Sequence, residues 1–352
     1  MVTSSRPSHS ARAAALAALI SLLAGCSSPV TLTPPTARPT VAPTSSPTAT
    51  PSPTTKPTPT PTATTAPTPT PTPTVALYVA NENNNTVAIY DPPFTSSSAP
   101  NVLISNGLNI PGAVALDSAG NLYVANCGSG CDSGFIAVYH PPFSSSSSPS
   151  FTITSGLGAN GGLDAPGGLA FDSAGNLYVA DSGEGDVTIY KPPFSSASSP
   201  SVTIADPNCP GGEAFDSAGN LYVANFGCGT DGSVAIYAPP FTNSSSPSTS
   251  ITNGIDSPSD EAFDSAGSLY VVNNTRNSVA VYSPPFTNSS SPTMTITSGM
   301  NGPEDEAFDS AGNLYVIEAN TLQIYHPPFT NSSSPSVAIT NGLSGPGGIA
   351  IH

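Results

Sequence analysis

Three observations predict an all-β chain whose folded part is a six-bladed β-propeller of four-stranded antiparallel blades. First, the stretch AFDSAGNLYVAN (residues 214–225) recurs with light edits at 115–126, 170–181, 262–273 and 307–318. The Tyr of its LYV core falls at Tyr78, Tyr123, Tyr178, Tyr222, Tyr270 and Tyr315, at intervals of 45, 55, 44, 48 and 45. Such a period suits one propeller blade per repeat. Second, each period holds four short runs of Val, Ile, Tyr and Phe bounded by Gly, Pro, Asn and Ser. In copy four they lie at 212–216, 220–225, 233–237 and 248–252, here strands a to d. Third, the first copy starts at strand b (Ala76-Leu77-Tyr78-Val79-Ala80), and the chain closes on a strand a (Gly347-Gly348-Ile349-Ala350-Ile351). The two fragments complete one blade, tie the ring shut and remove its edges.

Taken in order, the chain begins with an address. Arg6 and Arg12 precede an apolar run, 13–23, too short to span a bilayer and ending in small residues. This is the pattern of a signal peptide. The run closes on Leu23-Ala24-Gly25-Cys26, which resembles the lipobox of bacterial lipoproteins. That resemblance implies cleavage before Cys26 and lipidation of its thiol, with enough acyl chains for stable anchoring. The chain is therefore expected on the extracytoplasmic side of a bacterial cell or outer membrane, touching the membrane through the anchor alone.

Residues 27–74 are almost wholly Pro, Thr, Ser and Ala, and 52–74 nearly alternate Thr and Pro. No core can form from such a segment, and polyproline II is its default. At about 3.1 Å per residue it predicts a disordered, semi-rigid stalk on the order of 100 Å or more.

Residues 75–352 are the propeller. Pro166-Gly167-Gly168-Leu169-Ala170-Phe171-Asp172, then Gly175-Asn176-Leu177-Tyr178-Val179-Ala180-Asp181, then Val187-Thr188-Ile189-Tyr190, resembles an NHL repeat. The resemblance covers all of 75–352 and implies a ring commonly of six blades. The family spans lyases, lactonase-like enzymes and protein- or RNA-binding modules, so it implies fold more than function.

Charge excludes one class of partner. Lys191 and Arg276 are the only cations after residue 74, where all 22 carboxylates lie, so the formal charge there is 2 − 22 = −20. Such a surface repels phosphate backbones, and no nucleic acid is expected to bind. The ligand stays open between a protein, a glycan and a small molecule, and the chain is expected to be monomeric.

Comparing the copies separates the two faces. The a–b turns repeat Asp-Ser-Ala-Gly with its Asp at 117, 172, 216, 264 and 309, a turn former rather than a catalyst. The c–d turns repeat Pro-Pro-Phe and a Ser-rich tip, with Phe94, Phe143, Phe194, Phe241, Phe286 and Phe329 expected to pack over the blades. A ring of sugar-stacking sites is the sharper alternative. His140 and His326 occupy the same slot before Pro-Pro-Phe. The b–c turns on the other face differ from copy to copy, which is where a ligand site is expected.

Four cysteines follow Cys26. A register that opposes Asp216 to Leu221 also opposes Cys209 to Cys228, and Cys127 and Cys131 share one b–c turn. Two disulfides, Cys209–Cys228 and Cys127–Cys131, suit an exported protein. Metal ligation by the four thiolates is the weaker alternative.

The candidate site lies on strand a. One position is Val114, Leu169 and Ile349 in three blades, and Glu213, Glu261 and Glu306 in the other three. Asp260, Glu304 and Asp305 stand just before two of these. Asn225, Asn273 and Glu318 are placed across the hairpins, and Arg276 is the nearby cation. Carboxylates this dense bind a cation, take up protons or face water. Oxygen ligands favour Ca²⁺ or Mg²⁺, so Glu213, Glu261, Glu306, Asp260 and Asp305 are the metal candidates, against solvated acidic decoration. Asp181, Glu184 and Asp186 form a weaker second set. No three-His zinc set exists at the channel, which argues against the family's zinc lyases. Its Ca²⁺ lactonases use Glu, Asn and Asp ligands, but no local motif matches and no catalytic residue carries over. The expectation is a surface-displayed binding or scaffold module, calcium-stabilised, with a cation-dependent hydrolase or lactonase at the channel mouth as the alternative.

Overall fold

The computed structural model describes residues 75–128, 131, 133–156, 166–206, 208–228 and 232–352. The expected signal peptide, Cys26 and the Pro/Thr segment fall outside these residues. The described residues form six sheets, each of four antiparallel strands in the order a-b-c-d. Blade four shows the plan: Pro210–Phe215, Leu221–Asn225, Ser233–Tyr237 and Thr249–Ile251. Strand a thus begins two residues earlier than its sequence pattern indicates, and Asp216 belongs to the turn.

Closure is as expected. Pro346–Ile351 pairs with Leu77–Asn81 as the inner strand of blade one. Ala76 and His352 exchange backbone hydrogen bonds at 2.8 and 3.0 Å just beyond that pair.

Every b strand is fully buried, because both of its faces pack against neighbouring blades. The a–b turn is held by its Asp. Asp216 Oδ1 accepts N–H bonds from Ala218 and Asn220, each 2.9 Å, and Oδ2 accepts from Asn220 Nδ2 at 2.7 Å. Gly219 completes the turn at φ 81°, where a Cβ would be strained. On the c–d turns all six Pro-Pro bonds are cis. Each Phe packs edge-on against the strand-b Tyr of the preceding blade, with centroids 5.7–5.9 Å apart all the way round. These rings seal blade to blade, which is the packing role expected of them.

Both disulfides form, with Cα–Cα distances of 4.5 Å for Cys127–Cys131 and 5.7 Å for Cys209–Cys228. The register argument for the second needs correcting. Phe215, not Asp216, opposes Leu221, and a bulge between Pro210 and Glu213 shifts the pairing again. Positive φ at Cys209 (62°), Gly227 (97°) and Cys228 (21°) turns the chain back so that the sulfurs meet.

Candidate functional site: an acidic wall in the central channel

A bulge interrupts strand a in all six blades, just after its leading Pro. A regular strand sends successive side chains to opposite faces, and a bulge re-aims one of them. Beyond it, consecutive residues share one space: Ser259, Asp260 and Glu261 of blade five, and Glu304, Asp305 and Glu306 of blade six, line the same cavity as Glu213. That cavity measures about 170 Å³. Its opposite wall is Val114, Leu169, Ile349 and glycines.

Glycine makes the room. A Cβ on Gly168 would overlap the carboxylate of Glu213, and one on Gly212 would overlap that of Asp260. Glu213 and Asp260 therefore each fit against a glycine of the adjoining blade.

The three strand-a glutamates are buried, and Asp260, Glu304 and Asp305 are half-buried. Glu213, Glu261 and Glu306 are 7%, 2% and 3% exposed. Glu213 Oε1 accepts the Ala180 N–H at 3.1 Å, and Asp305 Oδ2 accepts the Ile349 N–H at 3.0 Å. Asp260 and Asp305 hydrogen-bond to each other, which requires a proton on one of them. Glu213 Oε2 and both oxygens of Glu261 and of Glu306 meet no donor at hydrogen-bond geometry among the described residues.

Burial is the main cause that holds these groups toward their neutral forms. It raises Glu213, Glu261, Glu306 and Asp305 well above the carboxylate range, and the charge of Asp260 adds to each. The amides of Ala214 and Ala224 beside Glu261, and of Ala262 beside Glu306, pull the other way without overcoming it. Asp260 is pushed up by burial to about 6, against hydrogen bonds that favour its charged form.

Three sequence placements change. Glu213 opposes Val223 rather than Asn225, Glu261 opposes Val271, and Glu306 opposes Val316. The strand-b ends instead bind the connections entering their blades: Asn273 Nδ2 donates to Gly254 O, Glu318 accepts from the Asn301 N–H, and Asn225 Nδ2 donates to Asp206. Arg276 pairs with Asp256 at 3.0 Å, both side chains exposed, and does not reach the acidic wall.

In the second acidic set, Asp186 and Asp181 sit opposite each other on strands b and c of blade three. Burial, then Glu184, pushes Asp186 up to about 6. Among the described residues no three His, Cys, Asp or Glu side chains already converge on one metal position.

No family model matches the chain, and no curated protein matches its sequence. Solved structures do. A protein of unknown function from Bacteroides caccae matches at TM-score 0.56 and 13% identity, over 79% of this chain and 98% of that one. A candidate 6-phosphogluconolactonase from Bacteroides uniformis matches at 0.55 and 13%, over 80% and 100%. A periplasmic gluconolactonase from Pseudomonas aeruginosa matches at 0.54 and 14%, over 79% and 98%. At these identities the likeness is one of fold, the β-propeller, and of nothing finer.

Proposed function

We propose that the chain is an exported, lipid-anchored binding module whose central channel takes a hard divalent cation, with Ca²⁺ the first choice. The observation that carries this is the set of buried carboxylate oxygens without donors around one small cavity. Glu213, Glu261, Glu306, Asp260 and Asp305 would hold the ion. It would supply the positive charge that this wall lacks, in place of protons. Carboxylate and water oxygens are the ligands hard cations use. At roughly 30 Å³ per water, the cavity has room for about five or six waters, the scale of a partly hydrated ion. The signal-like start, Cys26 and two disulfides support export.

The lactonase reading stands second. In its favour, the Asp260–Asp305 pair shares a proton, and Asp260 sits near the value that suits a general base. Against it, the cavity falls below the roughly 300–1,000 Å³ usual for organic ligands. Its lining has five or more carboxylates and no Lys or Arg, which repels a phosphorylated sugar acid.

Thermal unfolding of the intact chain tests the proposal, in millimolar Ca²⁺ and in chelator, beside the variant carrying Glu213→Gln, Glu261→Gln and Glu306→Gln. An ion at about 100 times its Kd stabilises by about 2.7 kcal/mol, or roughly 5–10 °C here. The parent should show that rise and the variant should not. An unchanged parent removes the cation and the hydrolase together. A Ca²⁺ rise with no turnover of gluconolactone leaves the binding module alone.

A further inference from the structure

The boundary between blades two and three holds a second and larger cavity, about 590 Å³, on the face of the Asp turns and Pro-Pro-Phe tips. Tyr123, His140 and Phe151 of blade two wall it with Phe171 and Phe194 of blade three. All six boundaries are built from the same repeat, so each slot can be compared. Where blade two has Phe151, the others have Val102, Val202, Thr249, Met294 and Val337. Where it has His140, the others have Asp91, Lys191, Ala238, Ser283 and His326. Blade two alone is aromatic in both, and the two rings meet edge-on at 6.2 Å.

His140 also stands differently from its counterpart. In blade six, His326 Nδ1 lies 2.6 Å from Asn313 Oδ1. Among the described residues no hydrogen bond joins His140 to the matching Asn121. The exposed His140, and Asn121, whose side-chain nitrogen is engaged by Asp117, both border the cavity. Ser118 and Ser173 add hydroxyls at its rim.

Charge narrows the ligand. Asp117 and Asp172 line the cavity, but each is engaged by two backbone N–H groups and an Asn side chain of its own turn. They exclude an anion without leaving strong acceptors for a cation. Lys191, exposed beside the lining Pro192, disfavours a cation as well. The accessible polar groups are an amide, hydroxyls and an imidazole, set among aromatic rings. That combination fits a neutral molecule with one apolar face and a rim of hydroxyls.

We propose that this cavity is a binding site for a neutral glycan, a short chain of pyranose rings. The sugar C–H face buries against the Phe151 and Phe171 side, and hydroxyls bond to His140 and Asn121. Its volume lies within the range of organic-ligand pockets, unlike the channel's. The site is independent of the cation.

The test titrates the intact chain calorimetrically with cellotetraose, chitotetraose, mannotetraose and maltotetraose at millimolar concentration, and with an oligogalacturonate as the anionic control. The variant is His140→Ser with Phe151→Val, residues that other blades carry in these slots and that preserve the repeat. At least one neutral tetrasaccharide should bind, the variant should weaken it about tenfold or more, and the Glu→Gln channel variant should leave it unchanged. The His140 ring protons should shift on addition of the same sugar, a readout that does not depend on the variant folding. Binding by none of the neutral sugars, equal binding by the double variant, or equal binding of the oligogalacturonate would each overturn the proposal.

Discussion

The two halves of the channel share one backbone and differ in chemistry. Strand a has the same length, bulge and leading Pro in all six blades. In blades one to three its central side chain is Ile349, Val114 or Leu169, whereas in blades four to six it is Glu213, Glu261 or Glu306. The apolar half needs no partner. The acidic half buries five glutamate oxygens that the described protein atoms leave without a donor. The difference teaches that the repeat alone does not explain the acids. An apolar residue satisfies the same slot three times, so stability argues against carboxylates there and a ligand, proton or cation, argues for them.

The strongest way to break this comparison is to make one half resemble the other. Val114→Glu puts a carboxylate on the apolar side, at the strand-a position that Glu213 holds in blade four and on the same cavity. A buried unpaired carboxylate costs about 3–5 kcal/mol, so the melting temperature at pH 8 should fall by roughly 10 °C or more. A variant that melts with the parent would show that this wall tolerates carboxylates anywhere, and the two halves would lose their distinction.

A smaller effect concerns pH. The acidic wall holds protons that the unfolded chain releases above the ordinary carboxylate range. Its contribution to stability is thus complete below about pH 4 and is lost as pH rises through the folded-state values, about 6 for Asp260 and higher for the others. In chelator the melting temperature should fall between pH 5 and pH 8, on the order of 5 °C. Replacing Glu213, Glu261 and Glu306 by Leu should flatten the part of that slope they carry, with Asp260, Asp305 and Asp186 keeping the rest. A parent whose stability rises over the interval has the opposite linkage, and its wall is ionised.

The smallest effect sharpens how the blades of the acidic half fit one another. Gly212→Ala drives a Cβ into Asp260 and should destabilise by about 1–3 kcal/mol. The same change should cost less beside Asp260→Gly, because the side-chain overlap is gone. Equal costs in both backgrounds would place the strain in the backbone alone.

Much of the fold was legible because it is written in local, repeated chemistry. The LYV strands, the Asp turns, the Pro-Pro-Phe tips and the split first blade each recur or complement in plain sight. The identity of the acidic residues was legible too, as departures of Glu213, Glu261 and Glu306 from Val, Leu and Ile. Their setting was not. The plain hairpin that pairs Phe215 with Leu221 runs on to pair Glu213 with Val223, and the bulge beyond it brings Pro210, not Glu213, across from Asn225. That bulge belongs with glycines pressed against the next blade, a contact between residues far apart in sequence. For the same reason the sequence could not tell a solvated mouth from a buried wall. Nor could it show that Phe151 and Phe171, from different blades, border one cavity.

The split blade has a consequence in time. Among the described strands Leu77–Asn81 is the first made, yet its inner partner, Pro346–Ile351, is the last of them. At roughly 5–20 residues per second, the intervening chain takes on the order of ten seconds to a minute to synthesise. Through that interval one edge of the first sheet has nothing to pair with, and every other blade can be complete while the ring is open. Losing the final strand should therefore do more than shorten the protein. It would leave a permanent sticky edge, so truncated chains should be captured by chaperones or aggregate in proportion to how much of 346–351 is missing.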